Sequence, residues 1–440
     1  MKVKALKFGG SSLADAGQIR KACAIIKAEP SRKYVVVSAP GKRFKQDIKV
    51  TDLLYAVYNS AAAGEDFYSP LNKVKERYEE IIKELNIDFD LNGEIETIAQ
   101  HMAETPEKEY VASRGEYLNA KIISAYLEWP FADAEKFVFF DEEHRFMEKE
   151  SYAAAADYLK KLDHCVIPGF YGIGTNGGIC TFSRGGSDIT GAIAARAVRA
   201  ELYENWTDVS GMLTADPGII EKPQVIDWIS YRELRELSYM GASVLHEDAV
   251  FPVKGAGIPI NIRNTNRPED PGTMIVAGRP ENIRRRVVTG IAGKKGLSNI
   301  QIEKSMMNAS VGFGAAVLSA IAKYGVSYEH TPTSIDTMSV LVDTKDLDPV
   351  RPEVLKEVDK AVKPDRLFIE DGIAVVAVVG EGLYRNVGFA AKLFSIISEA
   401  KVNVRMIDVG FNELTIIIGI DEKDYEKAFR AIYKGLEGQF

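Results

Sequence analysis

The chain has 440 residues, 46% hydrophobic and 27% charged, with 36 Gly and 17 Pro, which excludes a disordered or collagen-like polymer and predicts two to four domains at roughly 150 residues each. Its net charge of −8 provides no overall field to draw it to nucleic acid or to an anionic membrane, so an anionic substrate needs local cations.

Val3 to Phe8 is a short apolar-rich run that ends in Gly9-Gly10-Ser11-Ser12, after which Ile19, Ala22, Cys23 and Ile26 recur at helical spacing. This predicts strand, glycine turn and helix. Tyr34 to Ser38 predicts a second, buried strand broken at Ala39-Pro40-Gly41, the opening of an α/β unit with a parallel sheet. From Leu53 to Leu127 the pattern is helical and heavily charged, a helical layer or lid whose stretch Lys73 to Lys83 is amphipathic. Strands return at Phe137–Phe140, His164–Ile167 and Glu201–Trp206, with a helix over Ile189–Arg199, so a three-layer αβα domain is expected over residues 1–285. Gly172, Gly174 and Gly177 spell GxGxxG, but the strand-like Ile179-Cys-Thr-Phe182 follows where a dinucleotide site needs a helix; Asn176-Gly177-Gly178 is therefore a hairpin turn.

Residues 286–440 have a different character. Val311-Gly-Phe-Gly-Ala-Ala-Val-Leu-Ser-Ala-Ile-Ala-Lys-Tyr-Gly-Val326 recurs in register as Val387-Gly-Phe-Ala-Ala-Lys-Leu-Phe-Ser-Ile-Ile-Ser-Glu-Ala-Lys-Val402. Each copy predicts a helix, a strand (Val326–His330; Val402–Ile407), a further strand (Ser339–Val342; Leu414–Ile420) and a helix. Each is preceded by a strand (Asn299–Ile302; Ile373–Val379). Two α+β units of βαββαβ type are expected, over about 297–364 and 370–440.

Cys23, Cys165 and Cys180 show no CxxC spacing, and the five histidines, His101, His144, His164, His246 and His330, lack ligand-spaced partners, so neither a disulfide framework nor a protein-held metal is expected. The first ten residues lack the apolar run of a signal peptide, and no segment reaches the ~18 apolar residues of a membrane span. A cytoplasmic protein is expected.

Three places carry chemistry. Lys7-Phe-Gly-Gly-Ser-Ser12 joins a strand to a helix, where glycines let backbone N–H groups approach a phosphate and Lys7 adds a full charge; it is not a P-loop, and a solvated lysine beside a turn is the plain alternative. Thr181-Phe-Ser-Arg-Gly-Gly-Ser-Asp188 opens a helix. Ser187 or Asp188 there either caps the helix or serves a site, and Arg184, cleared by two glycines, has the planar fork that clamps a carboxylate. Thr207-Asp208 ends a strand where open α/β sheets bind ligands.

Taken in order, Lys7-Phe-Gly-Gly-Ser-Ser12, Val37-Ser38-Ala39, Ser113-Arg-Gly-Glu116, Phe182-Ser-Arg-Gly-Gly-Ser-Asp188, Thr207-Asp208 and a tandem repeat similar to ACT domains resemble aspartokinase over nearly the whole chain. The resemblance implies the amino-acid kinase fold and transfer of the γ-phosphoryl group of ATP to the β-carboxylate of L-aspartate, with Mg²⁺ carried by the nucleotide. By the same resemblance, Lys7 and Asp188 are catalytic, and Gly9, Gly10, Thr207 and Asp208 join Lys7 on the nucleotide. Ser38, Thr51, Arg184 and Ser187 line the aspartate pocket, and Glu116 receives the α-ammonium. Met307, Ser310, Phe313, Gly314, Tyr328, Glu329 and Ser334 would hold an end-product amino acid, lysine first and threonine second, with ACT domains pairing two or more copies of the chain. Departures fall on the nucleotide side: Leu213 and Gly218 stand where many members have Tyr and Arg, and Ser243 where they have Lys. Lys42, Arg43 and Lys222 are candidate replacements. Phe182 and Ser183 replace the usual Leu and Gly, and Tyr328-Glu329 the Val-Asp of lysine-sensitive relatives. Another acidic amino-acid kinase, or an amino-acid sensor on a kinase scaffold, remains the alternative.

Overall fold

A computed structural model of the chain describes residues 2–183, 185–242, 245, 250–278, 286–383, 385–410 and 414–440. It divides into two compact units, and the division is not the continuous boundary expected at residue 285. Residues 213–224 and 232–243 group with 282–440, while 1–212, 225–231 and 244–281 form the first unit.

In the first unit β1 (Lys4–Phe8), α1 (Ala16–Lys27) and β2 (Arg32–Val37) follow the predicted order. The charged stretch becomes four helices, α2 (Val50–Ala62), α3 (Tyr68–Leu85), α4 (Leu91–Glu104) and α5 (Lys108–Leu127). Its apolar stripe, Leu71, Val74, Tyr78 and Ile81, is buried in one core with Leu6, Phe8 and Val35, so this segment is a structural layer. Next come β3 (Phe139–Phe140), α6 (Glu148–Leu159), β4 (Cys165–Pro168), β5 (Tyr171–Gly174), β6 (Ile179–Thr181), α7 (Gly186–Ala197) and β7 (Leu202–Thr207). β5 and β6 are antiparallel, and Gly177 takes φ +81 in the turn between them, as a hairpin there requires. Then follow β8 (Trp228–Ser230), α8 (Tyr231–Tyr239), whose residues from 232 onward group with the second unit, α9 (Val250–Lys254), β9 (Ile260–Asn264) and β10 (Thr273–Val276). The main sheet runs β4-β2-β1-β7-β9-β10-β8. Its first five strands are mutually parallel, so the carboxyl ends of β4, β2, β1, β7 and β9 share one edge.

The second unit holds β11 (Gly290–Glu303), α10 (Phe313–Ala322), β12 (Tyr328–His330), β13 (Thr337–Asp343), α11 (Thr344–Leu347), α12 (Arg351–Val362), β14 (Arg366–Val379), α13 (Phe389–Glu399), β15 (Val404–Val409), β16 (Thr415–Asp421) and α14 (Tyr425–Gly435). One six-stranded sheet, β12-β13-β11-β14-β16-β15, carries both of the βαββαβ sets expected. Residues 297–303 of β11 pair with β13 and the first half of β14, giving one βαββαβ set; the second half of β14 pairs with β16 and with residues 290–294 of β11. The second set therefore takes its fourth strand from residues that precede the first, outside the expected 370–440. Helices α10 and α13 both start after a left-handed glycine, Gly312 (φ +85) and Gly388 (φ +86), the repeat's glycine in each copy. Ala215, Ile219 and Ile220 are buried with Ile291, Val376 and Phe429, which is why residues 213–224 belong to this unit. Among the described residues, no helix is long and apolar enough to cross a membrane.

Candidate functional site

Backbone geometry assembles the site at the shared carboxyl edge. The β1 strand delivers Lys7 and runs into a 3₁₀ turn, Gly10–Leu13, whose first N–H groups lack intrahelical partners. Gly10 is required by close approach: a Cβ there would stand 2.9 Å from the Ala39 carbonyl oxygen, while the Gly41 N–H donates to the Gly10 carbonyl at 2.8 Å. A Cβ on Gly9 would lie 3.5 Å from Lys7 Nζ, so the amine sits over the glycine turn.

Lys7 is 8% exposed, and its Nζ lies 2.6 Å from Asp188 Oδ1. Asn205 Nδ2 donates to the same oxygen at 2.8 Å, from two residues before Thr207 on the neighbouring strand. Asp188 stands in the first turn of α7, yet the residue at the cap position is Gly185 (φ +60) with no side-chain cap bond. Capping therefore does not account for Asp188, whose carboxylate is committed to the lysine. Ser187 is buried against Gly169 at the end of β4, where a Cβ would come within 2.6 Å of it. Arg184 lies outside the described residues, as does Ser243.

Opposite the glycine turn, α5 contributes Glu116, buried at 6% exposure. Burial pushes its carboxyl up to about 7, against the downward pull of the Ala39 and Glu116 backbone N–H groups and of Lys7. Among the described residues its Oε2 is buried without a hydrogen-bond partner. The Asn119 side chain, one turn further on, donates to the Ser38 carbonyl at 2.7 Å and fixes the end of β2. Thr51 is half-buried in the first turn of α2. Thr207 ends β7 and Asp208 follows it, with Thr207 Oγ1 donating to Asp208 Oδ1 at 3.2 Å. Lys7, Gly9, Gly10, Ser38, Glu116, Ser187, Asp188, Thr207 and Asp208 thus occupy the ends of strands β1, β2 and β7 and the elements packed beside them.

Sequence reasoning missed a buried brace beneath the turn. Arg77, from α3, donates to Asp47 Oδ2 at 2.7 Å and to the Ala14 and Gly41 carbonyls at 2.8 Å each. The Arg43 guanidinium, with Arg77 beside it, holds the Asp47 carboxyl well below the usual carboxylate range. This brace removes Arg43 from the candidate nucleotide cations, since its guanidinium is bonded to Asp47 and, at 2.8 Å, to Glu80. Lys42 and Lys222 are exposed. The signal for Arg77 was faint but present: an arginine one position away from an apolar stripe, on the side that turns inward. Asn119 and Asn205 carried none.

The regulatory candidates gather in the first βαββαβ set. Met307 is buried in the turn before α10, where Ser310 and Phe313 follow. That turn meets the segment containing Ser334 through Asn308 N–H to the Ile335 carbonyl, 3.2 Å, and Met306 N–H to Asp336 Oδ1, 2.8 Å. On β12, Tyr328 is exposed and Glu329 accepts from Lys294 at 2.5 Å.

Residues 2–264 match the amino acid kinase family, and 376–436 match the ACT domain. Aspartokinase 3 of Bacillus subtilis is 38% identical over 98% of this chain and 98% of its own length. This chain belongs to the aspartokinases. The solved structure of Clostridium acetobutylicum aspartate kinase, described as an allosteric enzyme, agrees with the fold: TM-score 0.91 and 46% identity over 99% of this chain and 100% of that one. E. coli aspartokinase III in complex with aspartate and ADP shares the fold at TM-score 0.77 and 23% identity, over 99% and 100% of the two chains. The parallel sheet flanked by helices and the βαββαβ sets are therefore those of an aspartokinase.

Proposed function

We propose that the protein transfers the γ-phosphoryl group of ATP, carried with Mg²⁺, to the β-carboxylate of L-aspartate, giving 4-phospho-L-aspartate and ADP. The observation that carries this reading is the pairing, at one sheet edge, of a buried lysine over a glycine turn with a buried, half-satisfied glutamate facing it. An oxygen of the substrate carboxylate is itself the nucleophile, so the protein has only to align it with the γ-phosphorus and offset charge. Lys7, aimed by Asp188 and Asn205, lies where the transferring phosphoryl oxygens would gather over Gly9 and Gly10. Glu116 receives the α-ammonium, whose charge restores the carboxylate that burial disfavours. Ser38, Thr51, Arg184 and Ser187 complete the aspartate pocket, and Thr207 and Asp208 the nucleotide side. The carboxylate nearest the phosphates, Asp188, is already bonded to Lys7 and Asn205, which suits a metal that arrives on the nucleotide.

The aspartate and ADP held by the E. coli neighbour support the substrate pair, and the ACT match supports feedback by an end-product amino acid, lysine before threonine. The turn at Met307–Gly314 with Tyr328, Glu329 and Ser334 is the effector site in this reading, with ACT domains joining two copies of the chain in the cytoplasm. Incubation with ATP, Mg²⁺ and hydroxylamine should trap an aspartyl hydroxamate. Hydroxamate from glutamate and not from aspartate would reassign the substrate, and none from either would defeat the reading.

A further inference from the structure

The three-stranded sheet β3-β5-β6 is separate from the seven-stranded one and carries a cluster that the proposed reaction does not use. Glu109 in the first turn of α5, His144 in the link between β3 and α6, and Cys180 in the middle of β6 bring one ligand atom each within 4.8 Å of one another. We propose that Glu109, His144 and Cys180 bind a single divalent cation of the Zn²⁺ class, with an open fourth position facing solvent.

The donor chemistry selects the ion. One thiolate, one imidazole and one carboxylate suit a borderline-soft d-block cation, whereas Mg²⁺ and Ca²⁺ prefer oxygen throughout. Ligands about 2.0–2.3 Å from Zn²⁺ are about 3.3–3.8 Å apart at a tetrahedral site, and Glu109 Oε2 and His144 Nδ1 are already 3.3 Å apart. The half-exposed His144 ring can turn to close the remaining gap, and its exposure supplies both an entry path and the open position.

The surroundings hold the ligands as metal sites hold theirs. Glu109 Oε1 accepts from the Thr181 backbone N–H at 3.0 Å and from Thr181 Oγ1 at 3.1 Å, so one carboxylate oxygen is anchored while the other faces the histidine. His144 has left-handed backbone (φ +58) within a loop bonded on itself through Asp141, whose Oδ1 accepts from the Glu143 and Arg145 N–H groups. Cys180 is 3% exposed and lies so close to Gly174 that a Cβ there would stand 2.9 Å from its sulfur. Phe140, Phe146 and Phe182 pack together beside the strand, with Phe182 centred 4.9 Å from Phe140 and 5.5 Å from Phe146.

The test is a Co²⁺ titration of the full chain, stripped with a chelator and free of nucleotide, followed by the near-ultraviolet thiolate-to-Co²⁺ charge-transfer absorption. The expected result is one equivalent bound per chain, loss of the band in Cys180→Ser, and affinity lower by about tenfold or more in His144→Ala. Cys23→Ser, which removes a thiol outside the cluster, should titrate like the parent. No charge-transfer band in the parent, or a band that survives Cys180→Ser, overturns the proposal. If Cys180→Ser does not fold, His144→Ala decides alone, because that exposed side chain is dispensable to packing: unchanged Co²⁺ affinity overturns the site.

Discussion

The two units use charge in opposite ways. In the first unit, ionised groups are buried or nearly so and bonded to one another: Lys7 with Asp188 at the carboxyl edge of the seven-stranded sheet, Arg77 with Asp47 beneath the glycine turn, and Arg32 with Glu204 toward the amino ends of the strands. In the six-stranded sheet and its helices, Arg351 with Asp371 and Arg405 with Glu370 stand nearer the surface, where solvent screens them. Breaking a buried pair leaves a charge without water or partner, whereas breaking a surface pair leaves two solvated ions. The site edge of the first unit therefore has its local geometry fixed by buried ion pairs, whereas these surface pairs of the second unit fix little.

The sharpest way to break this contrast is to remove one cation from each unit. Arg77→Met should cost about 3 kcal/mol in denaturant unfolding, because Asp47 stays buried with only Arg43 beside it, while Arg351→Ala should cost less than about 1 kcal/mol. Equal losses would remove the distinction. Lys7→Met should lower kcat by about 10²–10³-fold with a far smaller change in the KM for aspartate, since the amine acts on charge that develops in the transition state. A change confined to KM would make Lys7 a binding group.

Glu116 sharpens the comparison through pH. Its folded carboxyl titrates near 7, above its ordinary value, so its contribution to stability is complete below the ordinary carboxylate range and is lost as pH rises through 7. Glu116→Gln should therefore be more stable than the parent at pH 8, by on the order of 2 kcal/mol, with no advantage at pH 4. Its KM for aspartate should be high and flat with pH, whereas the parent's climbs as pH falls below 7. A parent KM independent of pH between 6 and 8 would separate Glu116 from the ammonium. The smallest effect belongs to the second unit: Gly388→Ala meets open space, so only the left-handed backbone resists it, for about 1 kcal/mol and no loss of kcat. A larger loss would mean that the turn before α13 is held by more than its backbone conformation.

Much of the first unit was legible because its signals are local. A strand that must turn within two residues toward an anion needs glycines, and Lys7-Phe-Gly-Gly10 displays them in four letters. The same reasoning distinguished a hairpin from a dinucleotide site at Gly172–Gly177, since a strand follows. Arg77 was hidden because a solvated and a buried arginine look alike within an amphipathic helix. Glu109, His144 and Cys180 were hidden because their spacing in sequence resembles no metal motif.

From its letters alone, the chain determines the order of its elements, the glycine turn beneath Lys7, the paired repeat and the family to which these belong, since each rests on residues adjacent in sequence. Folding in three dimensions decided the rest. It set Asn205 and Asp188 against Lys7, lent residues 290–294 to the second βαββαβ set, and drew residues 213–224 into a core built from the far end of the chain. Strand partners and buried contacts are chosen by the surface they remove from water, and that surface exists only once distant segments meet.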